Sequence, residues 1–393
     1  MKVNFEVQNL CIPESQIRGV AYYTLKLIRT LKVRDEFSYT LSFFDYKKER
    51  MNRDYITRYF SDLFEDDALL ECNSQNYKEI INCIKDEEKY KIKLSNYEDY
   101  FGLSADILHF PHSAYISSNI GHSKVIVTVH DILPILSEYQ GQFGNYFCER
   151  YLYSMKCIVD NNYEIIVDSR NTKKDILERF LLPDDRVHVV YPGYDNISLY
   201  EDRDEDVLQH MSIYSPYILY LGAIDTRKGV QDLVKAYEII RKRFSDIKLV
   251  IAGSINEGQR NELSETIIQC EQNKNIIMTG YVSEQQKRVL LSCAEIFVFP
   301  SEYEGYGLPI LEAMSCGTPV ITCDVSSIPE VGGNAVLYVS PHNYEALAER
   351  IIYALENCNI RHEMRENGLI RCQQFTWDKT AKDTESIYRL ILE

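Results

Sequence analysis

Long apolar runs are missing from this 393-residue sequence. The longest, from Val125 to Leu136, is broken by His130 and Asp131, and a membrane-spanning helix needs roughly 18 apolar residues. The opening Met1-Lys2-Val3-Asn4-Phe5-Glu6 leads into no apolar segment of secretion-signal length, so a cytoplasmic protein is expected. Paired cysteine spacings are also missing. The 11 cysteines are scattered from Cys11 to Cys372 without a single C-x-x-C, which speaks against a disulfide framework or a zinc site and for reduced thiols. Positive charge is short as well. Lys+Arg 43 against Asp+Glu 59 leaves a net −16, the wrong balance for neutralising nucleic-acid phosphates. Neither an internal repeat nor a low-complexity tract breaks the chain.

What is present is an alternation of short apolar, β-branched runs with longer amphipathic stretches, the pattern of α/β units on parallel sheets. Strands are expected at 39–44, 107–110, 124–129, 164–168 and 187–190, then at 217–221, 248–252, 276–279, 296–299, 320–322 and 335–339. Helices are expected between the later strands at 229–244, 257–271, 283–291, 308–315 and 344–355. Tyr191-Pro192-Gly193-Tyr194 stops a strand and precedes an acidic segment at 201–206, so a seam is placed there. Two Rossmann-like domains follow, 1–192 and 193–375. Residues 46–100, rich in Lys, Glu, Asp and Tyr, read as a helical insertion or an excursion outside this scheme.

The strongest motif is Glu304-Gly305-Tyr306-Gly307-Leu308-Pro309-Ile310-Leu311-Glu312, which follows an apolar strand ending at Pro300. A glycine-rich turn into a helix with proline in its first turn leaves backbone N–H groups and the positive helix end for an anionic or hydroxyl-rich ligand. The carboxylates of Glu304 and Glu312 suit the vicinal hydroxyls of a sugar. Read singly, each glutamate is also what a capped helix with an acidic first turn contains. The second motif, Gly222-Ala223-Ile224-Asp225-Thr226-Arg227-Lys228-Gly229, again joins a strand to an amphipathic helix. Gly222 admits a ligand close to the backbone, and Arg227 with Lys228 forms a diphosphate-binding pair at the ligand edge of an open sheet. A merely solvated pair is disfavoured, because cations oppose the helix dipole there. In the first half, Gly19 within Arg18-Gly19-Val20-Ala21-Tyr22-Tyr23 would let a diphosphate lie against the loop, although read alone it is an ordinary loop glycine. His130 ends a strand at the same sheet edge, where it is either a satisfied structural histidine or a functional one. His109 and His112 have the spacing of a metal pair but no third ligand, and are read as structural or acceptor-side.

Taken together these residues resemble glycosyltransferase family 4, the retaining group with the two-domain GT-B fold, over nearly the whole chain. Glu304 and Glu312 match its E-x7-E motif, with Tyr306 where phenylalanine is common, and Arg227-Lys228-Gly229 matches its R-K-G element. Arg18 to Tyr23 is similar to the R-G-I-G-R-Y turn of O-antigen mannosyltransferase-like members, with Ala21 and Tyr22 departing from it. His130-Asp131 matches an H-D element, and Asp168-Ser169-Arg170-Asn171-Thr172-Lys173 resembles the S-x-x-T-K stretch. Gly280-Tyr281-Val282 resembles the nucleobase-contacting segment, and Phe375-Thr376-Trp377 resembles the start of a C-terminal helix, 376–393, that crosses back to the first domain.

The resemblance implies two Rossmann-like domains facing across a cleft, and a hexose moved from a nucleotide-diphosphate sugar, GDP-mannose-like or a UDP-sugar, to a glycan or lipid-linked saccharide. It implies that Arg227 and Lys228 stabilise the leaving diphosphate in place of a metal. Glu312 takes the ribose, Glu304 and His130 take the transferred sugar, and Gly305, Tyr306, Gly307 and Leu308 supply backbone donors. Gly19, Gly222, Tyr281 and Val282 complete the donor contacts; neither metal nor other cofactor is expected. Two other readings remain at this point: a different GT-B enzyme, an epimerase or phosphorylase, or a non-catalytic partner subunit. The helix from Ile17 to about Arg34 sets Lys26, Arg29, Lys32 and Arg34 beside Val20, Leu25, Ile28 and Leu31. It is an ordinary surface helix or a peripheral contact with the inner face of a membrane.

Overall fold

The computed structural model describes residues 1–11, 19–45, 51–65, 68–73, 102–113, 116, 120–136, 139, 143–194, 204–214, 216–255 and 259–393. They form two compact units, Met1–Gly193 with Trp377–Glu393 and Tyr194–Thr376.

The first unit is built on a seven-stranded sheet in the order β3-β2-β1-β4-β5-β6-β7. Its strands are β1 (Lys2–Glu6), β2 (Ser38–Asp45), β3 (Leu69–Asn73), β4 (Ile107–Phe110), β5 (Lys124–Val129), β6 (Glu164–Val167) and β7 (Val187–Val189). All neighbouring pairs run parallel. Helices α1 (Val20–Arg34), α2 (Met51–Phe60), α3 (Asn145–Asp160) and α4 (Arg170–Phe180) accompany it. Two of these strands escape the hydropathy pattern. β1 carries Asn4 and Glu6 on buried positions. Asn4 is satisfied across the sheet, donating to Thr40 Oγ1 at 2.9 Å and accepting from Ser42 Oγ at 2.7 Å, so the strand tolerates polar residues that mask it in sequence. β3 lies inside the stretch 46–100 and pairs with β2; with α2, it shows that the described part of that stretch belongs to the sheet layer. Residues 46–50, 66–67 and 74–100 lie outside the described residues.

α1 buries Ala21, Tyr23, Leu27, Ile28 and Leu31 in the core of the first unit. Its basic side chains are engaged: Arg29 pairs with Asp62, Lys32 with Asp35, and Lys26 lies over the Tyr22 ring. Among the described residues no helix is long and apolar enough to cross a membrane.

The second unit has a six-stranded parallel sheet ordered β10-β9-β8-β11-β12-β13. Its strands are β8 (Tyr217–Leu221), β9 (Lys248–Ala252), β10 (Ile276–Gly280), β11 (Ile296–Phe299), β12 (Val320–Cys323) and β13 (Leu337–Val339). The helices are α5 (Glu205–His210), α6 (Val230–Ile240), α7 (Ser264–Gln272), α8 (Glu284–Cys293), α9 (Leu308–Ser315), α10 (Ile328–Gly332), α11 (Tyr344–Glu356) and α12 (Cys358–Cys372). Glu257, where a helix was expected to begin, lies outside the described residues. α12 has no strong periodic stripe in sequence; it is held because Gly368 sits where a Cβ would come 3.2 Å from Met314 of α9, letting the two helices approach closely. β8 and β11 are buried along almost their whole length, as strands covered on both faces must be.

In this order β8 and β11 are neighbours whose connections leave in opposite directions, so the sheet forks between them. Ligands of open α/β sheets bind at such a fork, outside the carboxyl ends of the strands. The last helix, α13 (Trp377–Leu392), returns to the first unit and packs on α1. Trp377, Ala381 and Tyr388 enter that core, and Arg34 donates to Asp378 at 2.6 Å and to Glu385 at 3.0 Å.

Candidate active site

Beyond β8 the chain passes Gly222 and makes one tight turn at Thr226–Lys228, whose first amides need a cap. Asp225 supplies it, with Oδ1 accepting from the Lys228 N–H at 3.1 Å. The turn ends at Gly229, with φ +66°, where a Cβ would lie 2.2 Å from the Pro300 carbonyl oxygen. Only glycine lets this turn press against the end of β11. That contact carries Arg227 and Lys228 across the fork to the loop after β11. Arg227 Nη1 donates to the Tyr303 carbonyl at 2.6 Å and lies 3.7 Å from Glu304 Oε1; Lys228 Nζ donates to the same Oε1 at 2.5 Å. Neither cation is a solvated surface charge, since their side chains are 12% and 14% exposed.

Glu304 is fixed from its own backbone. Its N–H donates to Ser326 Oγ at 3.0 Å, and Ser327 Oγ lies 2.8 Å from the carbonyl oxygens of both Glu304 and Tyr306, which share its one proton. Burial alone would raise the Glu304 carboxyl, but Lys228 and Arg227 outweigh it and hold the group below the usual carboxylate range. Arg227 Nη2 also lies 3.6 Å from Asp225 Oδ2, so two cations face two carboxylates, and an anion arriving at the fork finds both cations already paired. Gly307, at φ +113°, opens α9, which has no side-chain cap and Pro309 in its first turn. The Tyr306 ring is buried edge-on against Phe375, 6.2 Å between centroids, so the residue contributes to the core while its neighbours shape the turn.

Glu312 sits within α9 and meets a residue that the sequence reading passed over. Lys287 Nζ donates to Glu312 Oε1 at 2.6 Å and lies 2.8 Å from Glu284 Oε2. Burial disfavours the Lys287 ammonium, yet the two carboxylates hold its pKa above the ordinary value. Lys287 lies in the first turn of α8, just after a Ser283–Gln286 capping box. A lysine that opposes the helix dipole there was the available signal, the same one used for Arg227 and Lys228. If Glu312 holds the ribose of a nucleotide-sugar donor, as the family resemblance implies, Lys287→Met is expected to raise the Michaelis constant for that donor about tenfold, the worth of one charge-assisted bond fixing a carboxylate. Lys287→Arg should keep most of the affinity; donor saturation curves of the two variants check this.

At the carboxyl end of β10, Gly280 has open space over its α-carbon, and Tyr281 is 50% exposed with Val282 half-buried beside it. All six strands are parallel, so Gly280, Gly222, the 225–229 turn and the 300–307 loop lie on one edge of the sheet.

In the first unit, Gly19 caps α1 at φ +49°, while Arg18 lies outside the described residues. His130 follows β5: its Nδ1 is 2.6 Å from Asp168 Oδ2 and its Nε2 3.0 Å from the Pro111 carbonyl. Ser169 caps α4 by accepting from the Thr172 N–H, and Thr172 Oγ1 donates to the His130 carbonyl at 3.3 Å. His109 is enclosed by Tyr388 and Thr128, and His112 is bonded to Glu6. Among the described residues no three His, Cys, Asp or Glu side chains converge as a metal set.

A family model described as "Glycosyl transferases group 1" matches residues 212–371. Over its whole length the chain is 25% identical to the O-antigen chain mannosyltransferase B of Escherichia coli, covering 100% of each. It is 31% identical to the alpha-maltose-1-phosphate synthase of Mycolicibacterium smegmatis, over 68% of this chain and 73% of that one. Among solved structures, the sucrose-phosphate synthase of Thermosynechococcus elongatus superposes with a TM-score of 0.74 at 20% identity, covering 100% of this chain and 99% of that one. The Anabaena HepE protein in complex with UDP and glucose gives 0.72 at 14% identity, with 99% of each covered. Two Rossmann-like halves on parallel sheets thus carry the GT-B fold.

Proposed function

The chain belongs to the group 1 glycosyl transferases, and from that premise we propose that it is a retaining, metal-independent enzyme of family 4. It moves a hexose from a nucleotide-diphosphate sugar to a glycan or lipid-linked saccharide in the synthesis of a surface polysaccharide or glycoconjugate. The observation that carries this reading is the convergence of Arg227, Lys228 and Glu304 at the fork between β8 and β11. Departure of a nucleoside diphosphate develops negative charge on the leaving oxygen. Arg227, a forked donor, and Lys228, a point charge, are preorganised on a rigid turn to meet it, so little reorganisation remains when the bond breaks. Glu304, released from Lys228 as phosphate takes its place, accepts hydroxyls of the transferred sugar, and Glu312 accepts those of the ribose. The acceptor attacks the face that the diphosphate leaves, and the leaving oxygen takes the acceptor's proton. Neither a protein nucleophile nor a resident metal enters this scheme.

Whole-length similarity to a mannosyltransferase favours a GDP-sugar such as GDP-mannose as donor. A thermal-shift panel of GDP, UDP, GDP-mannose and UDP-glucose tests this, because a ligand that binds only the folded state raises the melting temperature with its affinity. GDP and GDP-mannose are expected to give the larger shifts; a larger shift from the uridine pair reassigns the donor. Treatment with excess EDTA is expected to leave turnover within about twofold, whereas loss restored by a divalent cation removes Arg227 and Lys228 from the charge-neutralising role.

A further inference from the structure

We propose that Asp168 is a positioning residue for His130: it fixes the imidazole with both ring nitrogens donating, so that His130 serves transfer as a cation and not as a proton acceptor. The proposal rests on the glycosyl-transfer reading, with His130 set against the transferred sugar as the family resemblance implies, and begins from the bonding around the ring. Nδ1 faces a carboxylate oxygen of Asp168 at 2.6 Å and Nε2 faces the carbonyl oxygen of Pro111 at 3.0 Å. Both partners are acceptors, so each nitrogen must carry a proton, and a ring with two N–H groups is an imidazolium. A neutral ring would turn a lone pair towards one of these oxygens.

The surroundings keep that state. Asp168 is 5% exposed, and its other oxygen, Oδ1, is buried with no hydrogen-bond partner, so the carboxylate is held through the bond from His130 to Oδ2. Asp131 adds a second negative charge from the His130 loop, and the Tyr23 ring of α1 closes the site edge-on at 4.9 Å. Burial disfavours the His130 cation, but Asp168, then the Pro111 carbonyl and Asp131, outweigh it and raise its pKa. His109 on β4 is the counterpart. Burial and then the His130 charge push it down to about 3, and it stays neutral between Tyr388 and Thr128. Two neighbouring histidines whose pKa values are pushed in opposite directions mark a division of roles, and of the two only His130 lies at the carboxyl edge of the sheet. With both nitrogens occupied, His130 has no lone pair with which to deprotonate the acceptor hydroxyl.

The test combines imidazole NMR titration of the full chain with the pH dependence of donor turnover, in the wild type, Asp168→Asn and Asp168→Glu. The wild-type ring is expected to titrate above the ordinary histidine value, and Asp168→Asn to bring its titration down. If the cation is what transfer needs, the alkaline limb of kcat/KM moves to lower pH with it. The loss in Asp168→Asn is then about tenfold larger at pH 8.5 than at pH 6, and Asp168→Glu restores the limb. A wild-type ring that titrates at or below the ordinary value overturns the proposal, as does a limb that stays in place while the ring's titration moves. Should Asp168→Asn not fold, the wild-type titration and the Asp168→Glu profile still decide. Absence of turnover with every nucleotide sugar would instead sink the transferase reading, and the titration would still report the state of the pair.

Discussion

Replacing Arg227 and Lys228 together by alanine is expected to lower sugar transfer by about 10³-fold or more, since each preorganised donor on a developing anion is worth about 10² to 10³ in rate. The geometry adds a second effect. Both cations face Glu304 Oε1, at 3.7 and 2.5 Å, and that side chain is only 12% exposed. Removing them strands a buried charge, a loss of about 3–5 kcal/mol when one side of such a pair is deleted. The double variant should therefore unfold at a lower temperature, with the Glu304 pKa moved up from its depressed position. Adding Glu304→Gln should recover much of the thermal stability and none of the activity. Initial rates with a nucleotide sugar, beside melting curves of the double and triple variants, separate the two effects. Near-normal transfer in the double variant removes the phosphate role from these residues.

Gly229→Ala is expected to be nearly as damaging although it removes no functional group. The residue is held at φ +66°, and a methyl group there would meet the Pro300 carbonyl oxygen at 2.2 Å. Backbone is hard to move, so strain from the left-handed conformation adds to a clash that only separation of the turn from β11 relieves. A loss of more than about 2 kcal/mol is expected, together with weaker donor binding, because that separation draws Arg227 and Lys228 away from Glu304. Gly280→Ala is the control: it shares the sign of φ, at +67°, but has nothing within 4 Å of the added carbon. It should show only the conformational penalty, about 1–2 kcal/mol. Equal melting temperatures for the two variants would contradict the contact with Pro300.

The second unit was legible in its sequence because a sheet covered on both faces needs continuous apolar strands. Tyr217–Leu221 and Ile296–Phe299 are such strands, and the motifs begin where they end. The first unit was less so. β1 buries Asn4 and Glu6, and hydropathy cannot see that Thr40 and Ser42 satisfy Asn4 from the next strand. β3 lies in a polar stretch whose place in the sheet depends on pairing with β2. At the candidate site the motif residues stood out by type and spacing, whereas their partners did not. Lys287 reaches Glu312 across 25 positions, and Asp168 reaches His130 across 38. Neither distance follows a helical or strand period, so only the folded chain brings those charges together.

The return of α13 to the first unit has a consequence for the order in which the protein is made. Residues 194–376 form one contiguous unit, which can close as soon as it leaves the ribosome. The first unit begins earlier but lacks Trp377, Ala381 and Tyr388 from its core until the last segment is synthesised. Until then His109 has no Tyr388 hydroxyl beside it, and Arg34 has neither Asp378 nor Glu385. The half synthesised first is therefore the half completed last, and its exposed core between those two moments is the part of the molecule for which a chaperone would have most to do.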